Sequence, residues 1–153
     1  MKTGFYSHSL FLEHNTGAHP ENAERLRAIQ NRLQSEEILN NLELHSGRQA
    51  TSKDIAMLHQ DSLFNEVRQA SEEGMHFLHS PDCVVSEKTF TAALQAVGSV
   101  LEAVEEVSEQ RLDNAFCAVR PPGHHAERDQ AMGFCFFNSI ALAAEYLTRH
   151  LGY

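Results

Sequence analysis

A chain of 153 residues with 21 acidic and 12 basic side chains, a formal net charge of −9, has the wrong sign for a nucleic-acid backbone as its main partner. Its 42% hydrophobic and 22% charged residues are those of a globular chain, long enough for one domain or part of one, and they exclude charge-driven disorder. No stretch is long enough to span a bilayer, and MKTGFYSHSL lacks the apolar core of a secretory leader. A cytoplasmic location with no membrane partner and no direct nucleic-acid partner is therefore expected.

Three cysteines, Cys83, Cys117 and Cys135, without CxxC spacing fit neither a disulfide framework nor a zinc knuckle. Thr3 to Tyr6 reads as a short strand, followed by a long polar loop, Ser7 to Ala18, with His8 and His14 in it. A metal cluster of His8, His14 and His19 is the alternative to rim or surface histidines, but the spacing is irregular and no carboxylates accompany them. Pro20 suits a first helical turn, Glu21 suits the positive helix end, and Leu26, Ile29 and Leu33 repeat at helical spacing, predicting a helix over Pro20 to Leu39.

Leu42 to His45 alternates as a strand does, and Gly47 marks a turn. Ser52 can cap a short helix with Ile55 and Leu58, and Asp61 a second with Leu63, Phe64, Val67 and Ala70, ended by Gly74. His59 between them reads as a polar connector. Met75 to Ser86 has little periodicity and contains Pro81, so a surface loop is expected. Glu87 to Gln110 carries Phe90, Ala93, Leu94, Val97, Val100, Leu101, Val104 and Val107, a broad helical face, with Gly98 and Ser99 small enough for close approach of a neighbour.

The stretch Ala115 to Ser139, AFCAVRPPGHHAERDQAMGFCFFNS, organises the rest. Ala115 to Val119 is an unalternating apolar run, which predicts a parallel strand buried on both faces with Cys117 pointing into the core. The Arg120-Pro121-Pro122-Gly123 segment then places His124 and His125 beyond a strand's carboxyl end, where ligands bind in open α/β sheets. Adjacent imidazoles suit proton transfer, since charging one makes charging the other costlier; the bland alternative is a pair of loop histidines bonded to nearby backbone. Gly133 and the aromatics Phe134, Phe136 and Phe137 can wall a narrow slot, with Cys135 either a reactive thiol or a packing residue. Asn138 can cap a final helix with Ile140, Ala141, Ala144 and Leu147.

RPPGHHA followed by GFCFFNS resembles the histone deacetylase family, in particular its class II branch and related bacterial enzymes, among them acetylpolyamine amidohydrolases. His19-Pro20-Glu21 followed by Arg25 resembles the family's HPE-x-x-x-R element, so the likeness covers essentially the whole chain. The resemblance implies an α/β fold of three layers, α/β/α, around a mainly parallel sheet of the arginase/deacetylase type. It implies amide hydrolysis of acetyl-lysine or acetylated amines with zinc as cofactor, the finer substrate being unreadable. His125 matches the general base and acid, His124 its electrostatic support, Gly133 the glycine whose carbonyl lines the acyl slot, and Phe134 one slot wall. Asp82 falls where members carry a rim aspartate that anchors substrate backbone, although a solvated turn aspartate explains it as simply. Arg25 matches an arginine beside a proposed acetate path.

The family's zinc ligands, an Asp-x-His segment and a later Asp, have no counterpart in this sequence, nor has its late catalytic Tyr. The resemblance therefore implies that residues 1–153 are the amino-terminal part of a single deacetylase-like domain, its fold incomplete, binding no zinc tightly and inactive alone. The alternative is a naturally short, non-catalytic binding or partner-interaction protein. A complementing chain or a homo-oligomer would be expected to cover exposed apolar surface.

Overall fold

The computed structural model describes residues 1–150 and 152. A three-stranded parallel sheet runs through the molecule in the order β2-β1-β3, with β1 over Thr3–Tyr6, β2 over Glu43–His45 and β3 over Asn114–Cys117. Gly4 faces Glu43 on one side and Ala115 on the other, and Tyr6 faces His45 and Cys117. Parallel neighbours need long crossovers, and here the crossovers carry the helices. The first holds α1 (Leu10–Glu13) and α2 (Glu24–Ser35); the second holds α3 (Ser52–Ile55), α4 (Asp61–Glu72) and α5 (Thr89–Ser108); α6 (Ser139–His150) follows β3.

Successive strand residues point to opposite faces, and the two faces of β1 have different covers. Phe5 packs with Leu26 and Leu33 of α2, whereas Tyr6 packs with Ala103 and Val107 of α5 and with Leu112. Helices on both sides of a parallel sheet are the three-layer arrangement that the sequence predicts. The largest core cluster joins Leu63 and Val67 of α4, Leu94, Val97 and Leu101 of α5, and Leu142 of α6 to Phe136 and Phe137.

Several boundaries differ from those expected, for local reasons. The Ser7 to Ala18 loop contains α1, whose Phe11 is fully buried. Helix α2 starts at Glu24 rather than Pro20 because Glu21 is turned inward to Arg120, and the Asn22 side chain accepts from the Glu24 N–H instead. It ends at Ser35, where Glu37 takes φ 56°, and Ile38–Asn41 forms a separate 3-10 turn. The cap of α3 is Thr51, not Ser52: its hydroxyl accepts from the Asp54 N–H while the Asp54 carboxylate accepts from the Thr51 N–H, a reciprocal box. Gln60 precedes α4 and Asp61 is its first residue.

The long helix buries more residues than any other element described. Beyond the expected stripe, Gln95, Gly98 and Ser99 are also enclosed because the segment after β2 lies across them. Gln95 Nε2 donates to the carbonyls of Ser46 and Gly47, both at 3.0 Å, and a Cβ on Gly98 would sit 2.2 Å from the Arg48 carbonyl oxygen. The close approach read from Gly98 is thus realised against backbone.

The strand predicted as buried on both faces is the exception. β3 spans Asn114–Cys117 at a sheet edge, Phe116 is 47% exposed, and Cys117 is only half-buried in a cleft lined by Val104 and Val107 of α5 and Leu147 of α6. A strand is enclosed on both faces only when its sheet continues past it and helices cover the extension. Here β1 is its only partner strand among the described residues, so the apolar run meets solvent.

Candidate active site

β3 hands its chain directly to the site. The Ala118 N–H continues the ladder to the Tyr6 carbonyl at 2.9 Å, and two residues later Arg120 turns back into the molecule. Arg120 is 1% exposed and its guanidinium is saturated by the protein: Nε donates to Glu21 Oε1 at 2.8 Å, Nη1 to the carbonyls of Phe11 (3.0 Å) and His14, and Nη2 to Thr16 Oγ1 at 3.0 Å. The amino-terminal loop is therefore wrapped around the root of the Pro121-Pro122-Gly123 turn, which presents His124 and His125.

The second loop is anchored by apolar burial. Phe136 and Phe137 are 0% and 3% exposed, and two such rings contribute about 3–6 kcal/mol toward fixing a segment otherwise short of regular structure. Gly123 brings the two loops together, since a Cβ there would lie 2.3 Å from the Phe137 carbonyl oxygen. Asn138 caps α6 as predicted, accepting from the Ala141 N–H at 3.0 Å, and its Nδ2 donates back to the Ala126 carbonyl at 3.1 Å.

His124 and His125 lie with ring centroids 4.2 Å apart and both are exposed. Among the described residues neither a backbone nor a side-chain group hydrogen-bonds to either imidazole, so the backbone-bonded alternative does not describe them. The His125 ring rests on Gly133, where an added Cβ would meet His125 Cδ2 at 2.9 Å. Phe134, at φ 68°, makes an edge contact with His19 at 4.7 Å between ring centroids. The structure therefore brings His124, His125, Gly133 and Phe134 together, with His19 as an aromatic neighbour.

Asp82 and Arg25 stand further out. Asp82 is exposed on the Ser80–Cys83 turn, which His79 moors to the second loop by accepting the Ala131 N–H at Nδ1 (2.9 Å) while its Nε2 meets Glu66 at 2.8 Å. Arg25 is largely exposed, 3.7 Å from Glu21, and lines a cleft of about 180 Å³ with Phe116, Val119 and Pro122.

The other polar candidates resolve into structural roles. His14 is buried against Thr89 Oγ1 at 2.9 Å, His8 Nδ1 accepts from the Leu10 N–H, and His19 Nδ1 accepts from the Glu21 N–H, so these three histidines form no cluster. Cys135 is enclosed with its Sγ 3.3 Å from the Gly133 carbonyl, and burial pushes its thiol up to about 11, which favours packing over reactivity. Among the described residues no group of three or more His, Cys, Asp or Glu could hold a metal ion. The residues present therefore do not fit the zinc that the resemblance implies.

Sequence reasoning missed Arg120, Glu21 and His59. Arg120 lies inside the Pro-Pro-Gly motif with no local sign of its partner, and Glu21 reads from the sequence as a helix-end residue. His59, a polar connector by sequence, is 4% exposed and bonded to both site loops.

Residues 19–153 match the sequence profile of the histone deacetylase domain. The chain belongs to the histone deacetylase family. It is 36% identical to human histone deacetylase 9 over 97% of its own length and 18% of that protein, and 33% identical to Arabidopsis thaliana histone deacetylase 5 over 95% and 24%. The crystal structure of the HDA15 HD domain superposes with a TM-score of 0.91 at 28% identity, covering 99% of this chain and 44% of that one. The chain thus spans about a fifth to a quarter of these curated relatives and under half of the solved domain.

This deacetylase-family site makes one local demand that can be tested directly. Gly133 adopts φ 54° and touches His125, so Gly133→Ala is expected to displace the imidazole and lower stability by about 1–2 kcal/mol. The check is the His125 ring resonance together with the urea midpoint; an unmoved resonance would mean that Gly133 serves backbone conformation alone.

Proposed function

We propose that this chain is the amino-terminal part of a single deacetylase domain that removes acetyl groups from acetyl-lysine or acetylated amines by zinc-dependent hydrolysis, and that it is inactive alone. The observation that carries the reading is the tandem His124–His125 pair at the carboxyl end of β3, with Gly133 against the His125 ring and the next residue, Phe134, in edge contact with His19. In this reading His125 takes and returns the proton, His124 supports it, Gly133 and Phe134 border the acyl slot, Asp82 holds substrate at the rim, and Arg25 lies along the product path. Zinc and its ligands would come with the remainder of the domain, and the edge of β3 that has no partner strand among the described residues is where its sheet would continue. The coverage of relatives supports this, since the solved domain contains more than twice the length matched here.

The test joins intact mass to activity. A protein well above 17.2 kDa in its source cell, active on an acetyl-lysine peptide and about 10²–10⁴-fold slower as His125→Ala, is the expected result. A His125→Ala variant within tenfold of the parent would remove the proton role. The second reading, a short non-catalytic binding protein, is favoured by the lack of a metal-holding group among the described residues. A mass equal to that of this chain, with no turnover, would establish it over the first.

A further inference from the structure

His59 lies in the connector between α3 and α4, where nothing local calls for a histidine. Its ring is buried and makes two hydrogen bonds, each to one of the site loops. Nδ1 lies 2.8 Å from the carbonyl oxygen of Glu127, two residues past His125, and Nε2 lies 2.9 Å from the backbone nitrogen of Asn138, which ends the Gly133–Phe137 loop. A carbonyl can only accept and an amide N–H can only donate. The pair therefore fixes one tautomer, with the proton on Nδ1 given to Glu127 and the lone pair on Nε2 receiving the Asn138 N–H. The next residue repeats the tie, as the Gln60 N–H donates to the Arg128 carbonyl at 2.9 Å, and the His59 ring packs against Phe137 at 5.8 Å between centroids.

We infer that His59 is a positioning residue for the tandem histidines, an imidazole of fixed tautomer that bolts the loop carrying His124 and His125 to the loop carrying Gly133 and Phe134. The two loops also meet where Gly123 abuts the Phe137 carbonyl, where Asn138 Nδ2 reaches the Ala126 carbonyl and where the His125 ring rests on Gly133. His59 adds a brace from outside both loops, bonding Glu127 just after His125 and Asn138 just after the Gly133–Phe137 segment, so the spacing between His125 and Gly133 is held from the connector as well as by the loops' own contacts. A charged ring would carry an N–H at Nε2, facing the Asn138 N–H donor to donor, and would open the clamp. The catalytic consequence rests on the deacetylase reading above; the clamp itself does not.

The test separates the two. In the 153-residue chain uniformly labelled with ¹⁵N, His59 is expected as the Nδ1–H tautomer at pH 7, and the Asn138 amide as slowly exchanging. His59→Ala should shift the His124 and His125 ring resonances and speed Asn138 exchange. His59→Gln, which can return an acceptor to the Asn138 N–H, should restore part of both. In the longer, active protein His59→Ala should lower kcat about 10–100-fold with KM within about threefold, since the misplaced group lies on the reacting side of the slot. The Nε2–H tautomer in the parent chain, or unchanged His124 and His125 resonances in both variants, would overturn the clamp even if His59→Ala proved too unstable to study. Shifted resonances with no turnover in any form would keep the clamp and remove the deacetylase reading. A fall in melting temperature with unmoved resonances would reduce His59 to a packing residue.

Discussion

Arg120→Ala is expected to lose about 3–5 kcal/mol of stability, a large part of what a domain of this size has. The truncation leaves Glu21, 4% exposed, as a buried carboxylate with only the largely exposed Arg25 at 3.7 Å beside it, and orphans the carbonyls of Phe11 and His14 that Arg120 Nη1 satisfies. The loss comes from the poorly compensated charge more than from the pair itself. A well-packed apolar pair of similar volume, Arg120→Met with Glu21→Leu, should therefore recover more than half of it. Urea midpoints at constant m-value read both effects. A single-variant loss below about 1 kcal/mol, with the double variant no better, would mean that the ion pair is not what seats the amino-terminal loop. Arg120→Lys should fall between, because one ammonium cannot reach Glu21, Thr16 and two carbonyls together.

The contrast between this arginine and the long helix indicates which features the sequence makes legible. α5 and the buried face of α4 announce themselves by period, and a local signal suffices because their burial follows from their own spacing. The tandem histidines and the Gly-Phe loop were legible from one contiguous motif, whose members meet because Gly123 and Gly133 admit the contacts. Arg120 and Glu21 are 99 residues apart, and His59 is 68 and 79 residues from its two partners; no local pattern encodes such pairings. β3 failed for a different reason. Its apolar run describes an enclosed strand, yet Phe116 is still 47% exposed beside Phe5, so the pattern encodes an environment larger than the three strands described.

Lowering the pH from 7 to 4.5 is expected to remove about 2–3 kcal/mol through His14 alone. His14 is 1% exposed, and burial, with the Arg120 charge adding, brings its imidazole down from the ordinary 6.5 to about 3. The sign follows from proton counting. Between those two values the unfolded chain holds a proton on this ring and the folded chain does not, so stability is complete above about 6.5 and declines as pH falls toward 3. The slope approaches about 1.4 kcal/mol per pH unit per histidine. His59 acts in the same direction, its imidazole lowered chiefly by burial against the opposing pull of the Glu127 and Arg128 backbone. Asp54, held down by Arg48 and Thr51 despite its burial, and Glu106, held down by the Arg111 hydrogen bond, contribute only near and below their ordinary carboxylate ranges, so most of the loss above 4.5 belongs to the histidines. His14→Gln can keep a hydrogen bond to Thr89 and does not titrate. It should be less stable than the parent at pH 7, yet lose about 2–3 kcal/mol less on acidification. Parallel urea-midpoint curves for the two proteins between pH 7 and 4.5 would mean that His14 is protonated in the folded state, and that the buried ring beneath the site is wetter than its packing against Phe136 at 5.9 Å implies.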